Sequence, residues 1–442
     1  MLGRYRRAEA GDIIESLAAQ QAEAPGSAAP RPAHTNARNL VGSAIQSCPS
    51  ESTVGARSPG QLSVAMVSTH EPRECGIATF TSDLANALAD VDPAIRVSWA
   101  AIDDEEPELA ARPEVRWRIR QGDPAAYERA AVDLNAADVD IVAVQHEFGL
   151  YGIWGEQFDD YLTPFLERLR KPLITTFHTV LPAPSSTVFN AVRRLGRRSD
   201  AVVVMTKRAG EILEQTYGLD PSTLHVIPHG APPVTHADRE AMKARLELHG
   251  RSVISTFGFV DPRKGIEYMI EAMADVVRAH PTAVYLVLGK THPDLTRKTE
   301  DAYRRSLNDL VEARGLGAQV QFVDRYLSQA EILDYLHASD VYVTPYLDPD
   351  QITSGTLSYA LGAGKAIVST AYAHAVEALG DRRGILVGFR SASELASAVS
   401  SVLDSPSLKA EFERNAGSLG ARLTWPTVAT RMSHLYRALA RP

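Results

Sequence analysis

The chain reads as an α/β protein built from two doubly wound, Rossmann-like parallel-sheet domains that face each other across a cleft. Three observations predict this. Short β-branched runs without polar alternation recur from Leu62 onward, as parallel strands covered on both faces require. Helical patterns separate these runs, giving the rhythm of a doubly wound sheet. A polar stretch, APPVTHADRE, then divides them into two series. The length of 442 residues agrees, since ordinary domains hold roughly 100–200 residues.

Residues up to about Pro59 stand apart. AEAPGSAAPRPAH is rich in Ala, Pro and Ser, and such a segment buries too little surface to offset its ordering entropy. Residues 1–60 are therefore expected to be a disordered tail, with a short helix at Ile13–Ala22 as its one candidate element. Expected strands of the first domain, residues 61–235, are Leu62–Ser68, Asp140–His146, Pro172–His178, Ala201–Thr206 and Leu224–His229. ATFTSDLANALAD and QFDDYLTPFLERLR supply helical patterns between them. The second domain, residues 236–424, offers Ser252–Phe259, Ala283–Gly289, Val320–Asp324, Val341–Pro345, Ala366–Thr370 and Gly384–Gly388, with helices in KGIEYMIEAMADVVRAH and SQAEILDYLHA. An amphipathic helix from about Trp425 closes the pattern over residues 425–442.

Composition excludes several classes. With 46 Lys+Arg against 54 Asp+Glu, the formal charge is -8; a nucleic-acid binder would need a dominant basic face. No apolar run approaches the roughly 18 residues of a membrane span. MLGRYRRAEAGDIIESLAAQ is basic but lacks the apolar stretch of a secretory leader. Cys48 and Cys75 are too few for a disulfide framework. A reducing, cytoplasmic setting is expected. HExxH and CxxC pairs are absent, so no metal site is expected. Asp138-Val139-Asp140 opens a strand and reads as a turn, whereas Asp348-Pro349-Asp350 sits in a loop near the cleft.

Ligands of open α/β sheets bind outside the carboxyl ends of the strands. Five histidines fall there, His70, His146, His178, His229 and His292, about half of them expected to be structural. Glu71, Gln145, Glu147, Thr206, Lys207, Lys290 and Thr291 join them. Phosphate signals are sharper. In THEPRECGIATF, Gly76 allows close backbone approach, and the N–H groups of the turn at Gly76 and Ile77 would face an anion. FGFVDPRKGIEYMIEA repeats the arrangement after the strand ending near Gly258, adding Arg263 and Lys264 beside a positive helix end. A bound phosphate would relieve that repulsion. In YLDPDQITSGTLSYALGAGK, Thr353 or Ser354 can cap a helix and leave the amides of Gly355 and Thr356 for an oxygen-rich ligand. Three helix N-termini on one cleft suit a diphosphate attached to polar groups.

CGIATF, TFHTV, VIPHG, GFVDPRKG, ASDVYVTPY and SGTLSYALGAGKAIVST together resemble the retaining glycosyltransferase family 4 (glycosyl transferases group 1), from about Val64 to the C-terminus. VQHEFGLYG and LGKTHPDL look like a bacterial, mannosyltransferase-like subgroup. The resemblance implies a GT-B architecture, with an acceptor-side first domain and a donor-binding second one. It implies that Lys264 holds the donor diphosphate, that Gly76 approaches the phosphates, that His178 positions the donor sugar, and that the last helix crosses back to the first domain. His146 and Glu147 are expected on the acceptor side; Thr291, His292 and the Gln351–Tyr359 stretch on the donor side. Two departures stand out. Phe259 occupies the place after Gly258 where the family carries arginine, with Arg263 as a substitute charge. Gln351 and Tyr359 occupy the places of two family glutamates, one at the donor sugar and one at the ribose, and neither brings a carboxylate.

The implied reaction moves a sugar from a nucleotide-diphosphate donor, a UDP- or GDP-sugar, to a hydroxyl acceptor with retention and with no required cofactor. Lys264, Arg263 and the helix ends would stabilise the leaving phosphate, which itself would take the acceptor's proton, so no glycosidase-type carboxylate pair is needed. Two alternatives use the same scaffold: a glycoside phosphorylase or sugar-phosphate-using enzyme, and a non-catalytic sugar-nucleotide-binding subunit. The sequence leaves oligomeric state open.

Overall fold

Both strand series form wholly parallel sheets, each covered by helices on its two faces. The computed structural model describes residues 60–440 apart from 104–108, 110, 154–157, 234–237 and 292–300. The expected tail, its short helix and His292 lie outside the described residues.

The first lobe runs β1 (Leu62–Ser68), α1 (Gly76–Val91), β2 (Ile95–Asp103), β3 (Val115–Arg120), α2 (Pro124–Ala136), β4 (Ile141–His146), a two-residue hairpin β5 and β6 (Gly152–Ile153, Asp159–Asp160), α3 (Leu162–Arg168), β7 (Leu173–Phe177), α4 (Ser186–Arg198), β8 (Ala201–Val204), α5 (Lys207–Gln215) and β9 (Leu224–Val226). Its sheet has the order β3-β2-β1-β4-β7-β8-β9. The second lobe runs α6 (Arg239–Arg245), β10 (Ser252–Phe257), α7 (Ile266–Ala279), β11 (Ala283–Leu288), α8 (Ala302–Ala313), β12 (Val320–Val323), α9 (Gln329–Ala338), β13 (Val341–Thr344), α10 (Gly355–Gly362), β14 (Ala366–Thr370), α11 (Ala373–Ala378), β15 (Gly384–Val387), α12 (Ala392–Asp404) and α13 (Pro406–Gly420). Its order is β12-β11-β10-β13-β14-β15. In each sheet the connections reverse direction beside the first strand, β1 or β10, and that reversal opens the crevice in which doubly wound sheets take ligands.

The lack of alternation has a direct cause. Along β1, Val64 and Met66 enter one apolar cluster while Ala65 and Val67 enter another on the opposite face. In β10, Val253 and Phe257 face one side and Ile254 the other. The expected strands are present, and β2 and β3 are two further strands that the apolar-run pattern does not mark. VRWRIR alternates because β3 is an edge strand with one exposed face, a pattern unlike the continuous apolar runs of buried strands.

After α13 the chain returns to the first lobe as α14 (Trp425–Leu439). Trp425, Val428, Ala429, Met432 and Tyr436 share one apolar cluster with Phe80, Leu84 and Leu88 of α1. Arg437 forks onto Asp92 at 2.6 Å through both Nε and Nη2, and Arg431 donates to the Val226 carbonyl at the sheet edge. At the crossover, Ala231 N–H donates to the Leu423 carbonyl and Trp425 N–H to the Ala231 carbonyl, so incoming and returning chains are tied together.

Candidate active site

The loop after β10 is shaped around Asp261. Its carboxylate accepts from the Arg263 amide at 2.8 Å and from Arg263 Nε and Nη2 at 2.9 Å each. Burial opposes that charge, but the arginine fork outweighs burial and holds the carboxyl below its ordinary range. The short turn Pro262–Lys264 ends at Gly265 with φ 62°, where a Cβ would lie 2.1 Å from the Pro345 carbonyl oxygen. Only glycine meets both demands, and this turn sets the direction of Lys264. The ammonium rests 3.8 Å from the Tyr346 ring centre, a cation–π contact, and makes no salt bridge among the described residues. Tyr346 Oη in turn lies 2.7 Å from Thr356 Oγ1 at the first turn of α10. Lys264 therefore borders two helix N-termini, those of α7 and α10.

At α10 the cap is Ser354, whose Oγ accepts from Leu357 N–H. Its own amide donates to His374 Nδ1 at 2.8 Å. Burial, with His229 nearby, pushes His374 down to about 3, so the ring is neutral and its Nδ1 is an acceptor. Gly355 lies so close to His229 that a Cβ would come 2.7 Å from Nε2.

Across the gap, β1 leads into α1. Cys75 is the cap: its Sγ accepts from the Ala78 amide and lies 3.1 Å from Thr69 Oγ1. Gly76 follows, exposed, with nothing within 4 Å of the place a side chain would fill. Glu74, two residues earlier, pairs with Lys290 at the end of β11. Val260 of the Asp261 loop bridges to Thr291 on the same β11 extension. The Gly76 turn thus borders the segment that carries Arg263 and Lys264.

His178 stands at the end of β7, its Nε2 3.0 Å from Gln145 Oε1 and its ring edge-on to Phe80. Burial first, then His229 and His146, lower it to about 3. It is a neutral hydrogen-bonding group. Glu147 accepts from Thr179 Oγ1 at 2.7 Å and from the Phe148 amide. Burial raises its carboxyl, with Arg263 a weaker opposing influence from the other lobe.

Beside this gap, several expected residues are engaged within the protein instead. His146 does not reach it: the ring is buried among Phe148, Tyr151 and Phe177, and desolvation lowers it to about 3. Its strand-end position looks polar in sequence, but aromatic side chains close over it. Tyr359 is also buried, and its hydroxyl donates to Asp83 at 3.1 Å, so its ring is not open for stacking. Thr291 is buried and accepts from Arg304 Nε. The Gln351 amide turns back on the Thr353 carbonyl at 2.5 Å. Ser354 rather than Thr353 caps α10, Ile77 packs against the core behind Gly76, and Gly258, φ 127°, approaches Thr356. Of the two acidic pairs, Asp140 holds the Ser63 amide at 2.8 Å, the structural turn expected of it.

Several lobe-to-lobe contacts carry no signal in the sequence. Thr79 Oγ1 lies 3.1 Å from Tyr326 Oη, and Gln329 donates to Asp83 at 3.0 Å. Glu377 accepts from the Lys207 and Arg208 amides at the start of α5. Asp83 sits on a helix flank that reads as solvated in sequence, and its partners lie about 250 residues away. Among the described residues no group of three or more His, Cys, Asp or Glu could hold a metal ion, and no helix is long and apolar enough to cross a membrane.

Two facing doubly wound lobes, with glycine turns and helix N-termini at both switch points, define the GT-B class. The family profile described as Glycosyltransferase Family 4 matches residues 75–233, and that of Glycosyl transferases group 1 matches residues 238–418. The chain belongs to this glycosyltransferase family. A D-inositol 3-phosphate glycosyltransferase of Gordonia bronchialis is 27% identical over 300 residues, covering 62% of each chain. A phosphatidyl-myo-inositol mannosyltransferase of Mycolicibacterium smegmatis is 23% identical over 283 residues, covering 62% of this chain and 67% of its own. The chain spans 62–64% of the length of the first curated relatives it matches. Among solved structures, Anabaena Alr3699/HepE in complex with UDP and glucose superposes with TM-score 0.68 at 16% identity, covering 86% of this chain and all of its own. That likeness is one of fold.

Proposed function

We propose that this chain is a glycosyltransferase that moves a sugar from a nucleoside diphosphate, a UDP- or GDP-sugar, to a hydroxyl acceptor with retained anomeric configuration. The observation that carries the reading is Lys264, a cation without a salt bridge among the described residues, beside the N-termini of α7 and α10 and across from the Gly76 turn. These groups supply positive charge where negative charge would develop on the leaving diphosphate. The relatives' names, an inositol-phosphate glycosyltransferase and a mannosyltransferase, support sugar transfer. The UDP and glucose bound to a protein of the same fold support a sugar-nucleotide donor.

In this reading residues 236–424 hold the donor and residues 61–235 receive the acceptor, near Glu147 and Thr179. The glycosidic bond to phosphate breaks, and the acceptor hydroxyl attacks from the same face. Its proton passes to the departing phosphate oxygen. His178, neutral at physiological pH, positions the donor sugar by hydrogen bonding rather than by carrying charge. Arg263 contributes field rather than direct contact while its fork stays on Asp261. A cytoplasmic setting fits such a donor, and basic groups can neutralise its phosphates without a divalent cation.

Replacing His178 with alanine should lower turnover by about 10–100-fold while leaving nucleotide affinity nearly unchanged. Steady-state kinetics beside calorimetric nucleotide titration separates the two, and equal losses would contradict its position at the sugar. Since Gln351 and Tyr359 bring no carboxylate and both are engaged within the protein, a phosphorylase reading keeps one specific support. Titrating UDP, GDP, ADP and inorganic phosphate decides between them. Tight binding of one nucleoside diphosphate supports transfer, and preference for inorganic phosphate overturns it.

A further inference from the structure

The N-terminal half of α1 and the turn before it are stitched to the second lobe at three points. Glu74 pairs with Lys290, Thr79 meets Tyr326, and Asp83 accepts from Gln329 and Tyr359. The first two contacts join side chains on the exposed rim. The third joins buried Tyr359 to half-buried Asp83 and Gln329, from three helices, α10, α1 and α9. Gln329 Nε2 divides its hydrogens between Asp83 and the Tyr359 oxygen, at 3.0 Å each, so the three side chains close a ring of hydrogen bonds across the gap. We propose that Asp83 is a positioning residue that holds the lobes closed through Tyr359 and Gln329, keeping the Gly76 turn opposite the Lys264 loop. Its bearing on catalysis rests on the function proposed above, but its effect on lobe closure does not.

Because this carboxyl is shielded by groups of the opposite lobe, opening exposes it to water. Burial raises it from 3.8 to about 6, against the lowering effect of Tyr359, Gln329 and Trp425. Glu71, from the loop before α1, is the charged group facing it and raises it further. Tyr326 and Tyr359 are the titratable groups on the other side, with the His229 ring 6.4 Å beyond Tyr359. The raised value gives the sign: closure takes up a proton. Its favourable contribution is complete below pH 3.8 and lost as pH rises through about 6. Lowering pH from 8 to 5 should shift the equilibrium toward closure by about tenfold.

Small-angle scattering of the full chain without ligand, at pH 5 and pH 8, tests this. The wild type is expected to be more compact at pH 5. Asp83→Asn, which keeps the acceptor oxygen but cannot ionise, should be compact at both values. Asp83→Ala should be extended at both, with circular dichroism reporting that each lobe is folded. A pH response retained by Asp83→Asn, or Asp83→Ala scattering like the wild type at both values, would overturn the proposal. If Asp83→Ala does not fold, the Asp83→Asn comparison decides alone. The nucleotide titrations above read the functional proposal independently, so each can fail without the other.

Discussion

Lys264→Ala should lower turnover by about 10²–10³-fold and weaken binding of the favoured nucleoside diphosphate by a comparable factor. The expectation follows from how the two basic neighbours are employed. Arg263 is held by a bidentate fork on Asp261, so its charge is largely balanced within its own loop. Among the described residues Lys264 leans on the face of Tyr346, a soft contact that leaves its three donors available. Arg263→Ala should accordingly cost much less than Lys264→Ala, even though the two are adjacent in sequence. Asp261→Ala should cost more than Arg263→Ala, because it removes the turn's cap and frees the guanidinium together. Kinetics and calorimetry on these variants give the ranking. Near-normal binding by Lys264→Ala would remove the diphosphate from the proposed mechanism.

Trp425→Ala should destabilise the protein by about 3–5 kcal/mol, as truncation of a large buried aromatic does. The indole is buried, lies 5.2 Å from the Phe80 ring centre and 5.7 Å from that of His229, and covers Gly230 so closely that a Cβ there would lie 2.1 Å from it. Its removal leaves a void at the crossover between lobes, with Phe80, which also touches His178, unsupported. Chemical denaturation should show the loss, and catalytic decline should accompany it because the Phe80–His178 contact loosens. Gly230→Ala should be comparably damaging from the opposite direction, by overpacking the same contact. An unchanged denaturation midpoint for Trp425→Ala would show that the crossover does not depend on this ring.

Much of the fold was legible because buried parallel strands announce themselves as uninterrupted apolar runs. The same signal fails at sheet edges, where β3 alternates between partly or fully buried and exposed residues. In the site, the order of strand, loop and helix is readable: Gly76 opens a helix after β1, and Lys264 stands just before another, whereas the demand for glycine at Gly265 comes from the Pro345 carbonyl of a distant strand end. Side-chain destinations are not readable. His146 and His178 both end strands, yet aromatic rings cover one and Gln145 engages the other. Phe148 and Tyr151 follow His146 closely in sequence, but that they fold back over its ring, and that Gln145 and Phe80 meet His178, is decided by the packing of separate elements. Asp83 was hidden for the same reason. Its meaning lies in Gln329 and Tyr359, and no one-dimensional pattern couples positions so far apart. Tyr359 stood out as a missing carboxylate, and in the fold it is a partner to one.

The docking of α14 on α1 has a consequence for biogenesis. Met66, Phe80, Leu84 and Leu88 share their cluster with residues near the very end of the chain. A ribosome will have delivered the whole second lobe before Trp425 and Tyr436 emerge to cover them. The earlier-made half therefore waits with an uncovered greasy flank throughout synthesis, the kind of surface that chaperones bind and that aggregates when they do not.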